Sequence, residues 1–370
     1  MNARTRAGLD IAIFGSSLVS SWWNGACTYY RGIVRGLHER GHRVTFYEPI
    51  AYERQEHRDI PDPDYARVVI YPAQDEAQVR RTVQSADGAD VVVKTSGVGV
   101  FDEVLEHAVA RVGPPDTLRI FWDVDAPATL ARMEADPNDP TRSELLRYDA
   151  VFTYGGGLPV VRRYMQLGVR ACATIYNGLD PLTHHRVPVD PRFRADCALL
   201  ANRLPDREQR IDEFFFRAAS LAPEHEFLLA GNGWDDRPMP ANVRCIGHLG
   251  TDHHNAFNCS ATTVLNVTRE SMAANGWSPP TRVFEAAGAG ACLITDAWPG
   301  VDHFFAIGTE VLVACDGEQV AEHVRTATPQ RAKEIGNRAS ARALEEHTYM
   351  QRAAQVDAFL RDRIEMPCVS

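Results

Sequence analysis

Short, nearly unbroken apolar runs alternate with amphipathic stretches along almost the whole chain. In the first half the runs fall at residues 9–14, 43–47, 67–71, 90–94, 118–122, 150–154 and 172–176. Helix-periodic segments at 26–40, 75–85 and 101–111 separate several of them. A strand that reads apolar on both faces is a strand covered on both faces, so this alternation predicts βαβ units and a parallel sheet between helical layers. A second series follows at 198–201, 226–230, 243–246, 263–267, 291–295 and 311–314, with helices opening at Arg207, Asp252, Thr281 and Glu318. Between the series, residues 177–194 are rich in proline and lack periodicity, as an interdomain hinge would. The segment 329–346 reads as a helix, and 348–364 as a terminal amphipathic helix with Tyr349, Ala353, Val356 and Leu360 on one face.

The expected fold class is therefore α/β, with two Rossmann-like, doubly wound parallel-sheet domains facing across a cleft. The boundaries read as 1–178, 179–347 and a last helix, 348–370, returning to the first domain. A chain of 370 residues exceeds the usual size of one core, which agrees with two domains. The net charge of −10 argues against a general nucleic-acid or anionic-membrane surface, and leaves room for a local basic pocket, for which Arg203, Arg207 and Arg282 are candidates. Eight scattered cysteines without a CxxC pair, no apolar run long enough to span a membrane and no signal-peptide pattern point to a soluble cytoplasmic protein with reduced thiols. No motif encodes the oligomeric state.

The densest chemistry lies in residues 275–296, NGWSPPTRVFEAAGAGACLITD, which read as turn, helix and buried strand in succession. The start of such a helix offers free N–H groups and a positive dipole end to an anion, and Glu285, one turn in, can accept hydrogen bonds from a sugar diol. A nucleoside diphosphate with its ribose would satisfy both; small residues on a helix packed against a sheet are equally ordinary scaffold. After the first strand of the second series, NRLPDRE places Arg203 and Arg207 four apart at a helix start, where both could reach one diphosphate. WDVDAP puts Asp123 and Asp125 at a strand end, either in polar contact with donor or acceptor or capping the next helix.

The first βα turn lacks GxGxxG, but Trp22, Trp23, Asn24 and Gly25 could line the cleft and touch a sugar; the tryptophans could equally pack between domains. The glycines of YGGG, 154–157, could border the cleft or make a tight turn. His248, His253 and His254 in GHLGTDHHNAFN lack the spacing of a zinc site, so no metal is expected, and the glycines around His248 suit contact with a flat base. His184 and His185 fall in the hinge and are expected to be exposed.

GHLGTDHHNAFN, LNVTRESMAANGWSPPTRVFEAAGAGACLITDAWPGVDHFF, GTEVLVACDGEQVAEHV, WDVDAPATL, TYGGG and YNGLDP together resemble GT-B glycosyltransferases related to the bacterial spore-maturation-protein (CgeB-like) family. The resemblance implies a nucleotide sugar held mainly by the second domain and an acceptor mainly by the first, with no cofactor and no metal. It puts Glu285 on the ribose hydroxyls, Ser278, Pro280, Thr281 and Arg282 on the phosphates, and Arg203 and Arg207 on the leaving diphosphate. The backbone of Gly247, His248 and Leu249 would meet the base, Asn266 and Arg269 would face the sugar or phosphates, and Asp125 would contact the transferred sugar. YNGLDP is similar to the hinge of retaining enzymes, yet where many of those carry a first glutamate this chain has Trp277. A nucleotide-sugar epimerase and an inactive nucleotide-binding scaffold are the rival readings.

Overall fold

Seven strands form the first sheet of the computed structural model, which describes residues 8–22 and 24–365. The sequence expectation for Trp23 lies outside the described residues, as does Cys368. The strands are β1 (Asp10–Phe14), β2 (Arg43–Pro49), β3 (Arg67–Tyr71), β4 (Val91–Thr95), β5 (Leu118–Asp123), β6 (Ala150–Thr153) and β7 (Cys172–Thr174), in the order β3-β2-β1-β4-β5-β6-β7. The second sheet has six: β8 (Cys197–Leu200), β9 (Phe227–Ala230), β10 (Val243–Cys245), β11 (Thr263–Asn266), β12 (Leu293–Asp296) and β13 (Leu312–Ala314), in the order β10-β9-β8-β11-β12-β13. Every pairing in both sheets is parallel.

The continuous apolar runs have the cause expected of them. In β1, Ile11 and Ile13 enter one hydrophobic layer while Ala12 and Phe14 enter the other. In β8, Cys197 and Leu199 point into one core and Ala198 and Leu200 into the opposite one. Strand side chains alternate between faces, so a strand with helices on both sides has no polar face to show.

Internal contacts divide the chain into residues 1–176 with 349–370, and residues 177–348. The last helix, Tyr349–Glu365, belongs to the first unit, where it packs on helix Cys27–Glu39. Two glycines make that approach possible: a Cβ at Gly32 would lie 2.3 Å from the Tyr349 ring, and one at Gly36 would lie 2.5 Å from Ala353 Cβ. In the second unit, helix Pro205–Ile211 runs into a π-helical turn, Asp212–Phe216, that buries Phe214, Phe215 and Phe216. Among the described residues, no helix is long and apolar enough to cross a membrane.

Strand order also locates the ligand positions. In the first sheet the chain leaves β1 towards β2 on one side and returns to β4 on the other; in the second, β8 stands in the same way between β9 and β11. Loops leaving the carboxyl ends of strands at such a reversal diverge and open a crevice. The second unit therefore presents the loops after β8 and β11 together.

Candidate functional site

Three arginines from these two loops carry the charge of the second unit's crevice. Arg207 sits in the first turn of helix Pro205–Ile211, Arg269 just beyond β11, and Arg282 in the first turn of helix Thr281–Gly288. Burial pulls the Arg207 guanidinium pKa below its usual value, and the neighbouring charges of Arg282 and Arg269 push the same way. Arg282 is lowered by burial as well, with the Glu285 carboxylate opposing the shift. Arg207 donates from Nη2 to the Asn202 carbonyl at 3.0 Å, while its Nε is buried without a partner. Arg282 Nη1 is also buried without a partner. Buried cationic donors left unpaired are costly, and a bound anion would satisfy them.

The turn leading to Arg282 is strained. Trp277 has φ +50°, a left-handed conformation unfavourable for so large a residue, between Gly276 at φ +65° and the buried Ser278. Its N–H donates to the Pro299 carbonyl at 2.7 Å, and its ring occupies the place a Cβ on Gly300 would need. Ser278 Oγ donates to the Gly276 carbonyl at 3.0 Å. Pro280 precedes the helix, and no side chain caps its first turn. Thr281, the first helical residue, is half-buried. The amides of that first turn thus have no side-chain cap, one turn before Glu285.

Glu285 meets two histidines, one of them, His184, from the hinge segment. His184 Nε2 lies 3.6 Å from Glu285 Oε1, and both side chains are only about an eighth exposed, 12% and 13%. His254 stands close enough to feel Glu285, Arg282 and His184, and burial first, then the Arg282 charge, pull its pKa down to about 4. The contact between residues 184 and 285 is tertiary, and no local spacing announces it. The trio His248, His253 and His254 considered from sequence does not assemble: His248 Nδ1 lies 3.3 Å from Asn232 Nδ2, and His253 pairs with Asp252.

Four nominated side chains are already occupied. Arg203 Nε donates to Glu208 at 2.8 Å and its Nη1 to Asp236 at 2.7 Å, so two carboxylates hold it. Asn266 is buried at the end of β11 and donates to Thr295 Oγ1 and Thr268 Oγ1 at 3.1 and 3.3 Å. In the first unit, Asn24 accepts from Ser16 Oγ at 2.8 Å and donates to the carbonyls of Ser17 and Ser20, knitting its own loop. Asp123 is fully buried and accepts from Ser96 Oγ, the Asp125 N–H and the Tyr164 hydroxyl. These contacts make Asp123 a loop organiser, not a free base.

Asp125 is exposed and its side chain caps no helix. Gly25 is exposed, and nothing lies within 4 Å of where its Cβ would be. Trp22 stacks on His57 with ring centroids 4.0 Å apart. Gly156 and Gly157 both take positive φ and turn tightly into helix Gly157–Gln166. Gly247 has φ +68° with open space beside it, and its carbonyl accepts from the Gly231 N–H at 2.7 Å. His248 is exposed, whereas Leu249 is buried against Phe257 and Phe193. Arg269 Nε bonds Asp206 at 2.5 Å.

Known proteins share this frame. Residues 207–358 match the family model described as glycosyl transferase-like. Alr3699/HepE of Anabaena, solved in complex with UDP and glucose, superposes with a TM-score of 0.67 at 15% identity, over 96% of this chain and 100% of that one. Sucrose-phosphate synthase of Thermosynechococcus elongatus gives 0.69 at 13% identity, over 96% and 98%. The T4 phage BGT, solved with its UDP-glucose substrate, gives 0.60 at 12% identity, over 97% and 100%. A comparison with curated protein sequences gives no match. The architecture is the GT-B fold of glycosyltransferases, and the glycosyl transferase-like match falls mostly on the unit that carries the three arginines.

Proposed function

We propose that the protein is a glycosyltransferase that takes a sugar from a nucleoside-diphosphate donor and passes it to an acceptor nucleophile. The donor diphosphate lies against Arg207, Arg282 and the first-turn amides of helix Thr281–Gly288, with the ribose hydroxyls on Glu285 and the base near Gly247. The observation that carries this reading is the pair of arginine nitrogens buried without partners at the second unit's strand reversal. The structures solved with UDP or UDP-glucose in the same fold make a uridine diphosphate sugar the donor to try first. The spore-maturation-related branch rests on the motif resemblance alone.

In the transfer the bond from the anomeric carbon to the diphosphate oxygen breaks with its electron pair, and the acceptor oxygen bonds that carbon. Guanidinium groups and helix-end amides take up the charge that grows on the diphosphate, which is the main catalytic demand and calls for no metal. In the retaining course, which the hinge resemblance favours, the departing phosphate oxygen accepts the acceptor's proton. For the inverting course Asp125, exposed just beyond the end of β5, is the carboxylate to test, since Asp123 is engaged. The acceptor side is assigned to the first unit and the setting to the cytoplasm.

The test is a thermal-shift panel of nucleoside diphosphates and nucleotide sugars on the wild type, Glu285→Ala and Arg282→Ala. The reading expects one nucleotide to stabilise the wild type by about 2–4 kcal/mol at high saturation and both variants to lose most of that shift. No stabilisation by any nucleotide would sink it.

A further inference from the structure

We infer that His184, His254 and Glu285 form a binding site for one divalent transition-metal ion of the zinc type. Among the described residues these three form a group whose potential ligand atoms all lie within 4.8 Å of one another. They come from three separate stretches: the segment after residue 177, the start of helix His254–Ser260 and the middle of helix Thr281–Gly288. Tetrahedral zinc with ligands at about 2.0–2.1 Å needs its donors about 3.3 Å apart. The His184–Glu285 pair, at 3.6 Å, is already close to that spacing.

The His184 imidazole is also braced in the way metal ligands are. His184 Nδ1 lies 2.9 Å from Thr183 Oγ1, which leaves Nε2 towards Glu285. A hydrogen bond at the outer nitrogen fixes ring orientation and raises the basicity of the inner one. Two imidazoles and one carboxylate with an open fourth position suit Zn2+, Co2+ or Ni2+, and do not suit Mg2+ or Ca2+, which take oxygen donors. Glu285 cannot serve metal and ribose together, so the ion and the nucleotide exclude one another. This consequence rests on the donor reading; the metal site does not.

The test is a Co2+ titration of the full chain followed by visible absorption, with Zn2+ as competitor and melting curves to confirm folding. One Co2+ per chain with a four-coordinate spectrum is expected, displaced by Zn2+. Affinity should fall about ten-fold or more in His184→Ala and in His254→Ala, and stay unchanged in His323→Ala, whose ring bonds the Val313 carbonyl. Absence of such a spectrum, or one unaffected in both site variants, overturns the site. Saturating UDP should release the Co2+. A Co2+ signal that persists while UDP still raises the melting temperature overturns the exclusion, whereas UDP without any effect on melting counts against the donor reading alone.

Discussion

Replacing Arg282 with methionine should move stability and nucleotide affinity in opposite directions. In the free protein Arg282 Nη1 is buried without a partner, and burial already pulls the guanidinium pKa down. Leaving such a group unsatisfied costs about 1–3 kcal/mol, and the methionine chain keeps much of the apolar stem packed. Glu285, the carboxylate opposing that shift, loses some compensation, so the net gain should be about 1 kcal/mol, or a rise of roughly 2–4 °C in the melting temperature of a domain this size. Against that, a hydrogen bond to a charged group is worth about 1.5–3 kcal/mol, so diphosphate affinity should fall about ten- to a hundred-fold. Nucleotide at a hundred times its wild-type dissociation constant stabilises by about 2.7 kcal/mol, and a hundred-fold weaker site would retain less than about 0.5 kcal/mol of it. Calorimetric melts with and without UDP measure both signs. A variant that melts several degrees lower without ligand yet keeps its full UDP shift would refute the reasoning and make Arg282 a structural residue.

Three further outcomes follow from the packing of the first unit. Gly32→Ala should destabilise by about 1–2 kcal/mol in urea unfolding, because overpacking against the Tyr349 ring outweighs the better helix propensity of alanine; a more stable variant would contradict the close helix contact. Lys94→Ala should cost about 3–5 kcal/mol, since Lys94 is fully buried between Asp102 and Glu106 and its loss strands Glu106. The nucleotide-induced shift of the second unit should survive that substitution if the variant is assayed folded. Burial lowers the His42 pKa from 6.5 even though Asp357 lies 2.9 Å from its Nε2. The unfolded chain therefore takes up this proton first, and the stability it represents is present above pH 6.5 and lost as pH falls below it. The urea midpoint should drop between pH 7.5 and 5.5 in the wild type, and less steeply in His42→Gln.

The strand series was readable from sequence because both sheets are parallel and covered on both faces, so each strand is an apolar run with few competing patterns. Ends shifted by a residue or two, as in β12, where the expected 291–295 became Leu293–Asp296. The candidate site was legible in part. Arg207, Arg282 and Glu285 were nominated because helix starts after strands have a recognisable order of residue types, and Arg269 through the family resemblance; folding brings the three arginines within reach of one another's charge. What sequence does not show is whether a polar side chain is already spent. Asp123, Asn24, Asn266 and Arg203 have the right chemistry at the right strand ends, and neighbours brought in by folding occupy each of them. The converse holds for His184, which reads as exposed hinge and is carried onto Glu285. Lys94 is hidden for the same reason, as one cation inside an apolar strand whose counterions lie on the following helix.

The central claim is that the second unit's strand reversal holds a nucleoside diphosphate. A crystal structure of the protein with UDP tests it most directly. The account predicts diphosphate oxygens within hydrogen-bond distance of the Arg207 and Arg282 guanidinium groups and ribose hydroxyls on Glu285. UDP bound elsewhere, or this crevice empty at saturating UDP and at every other nucleoside diphosphate tried, would contradict it.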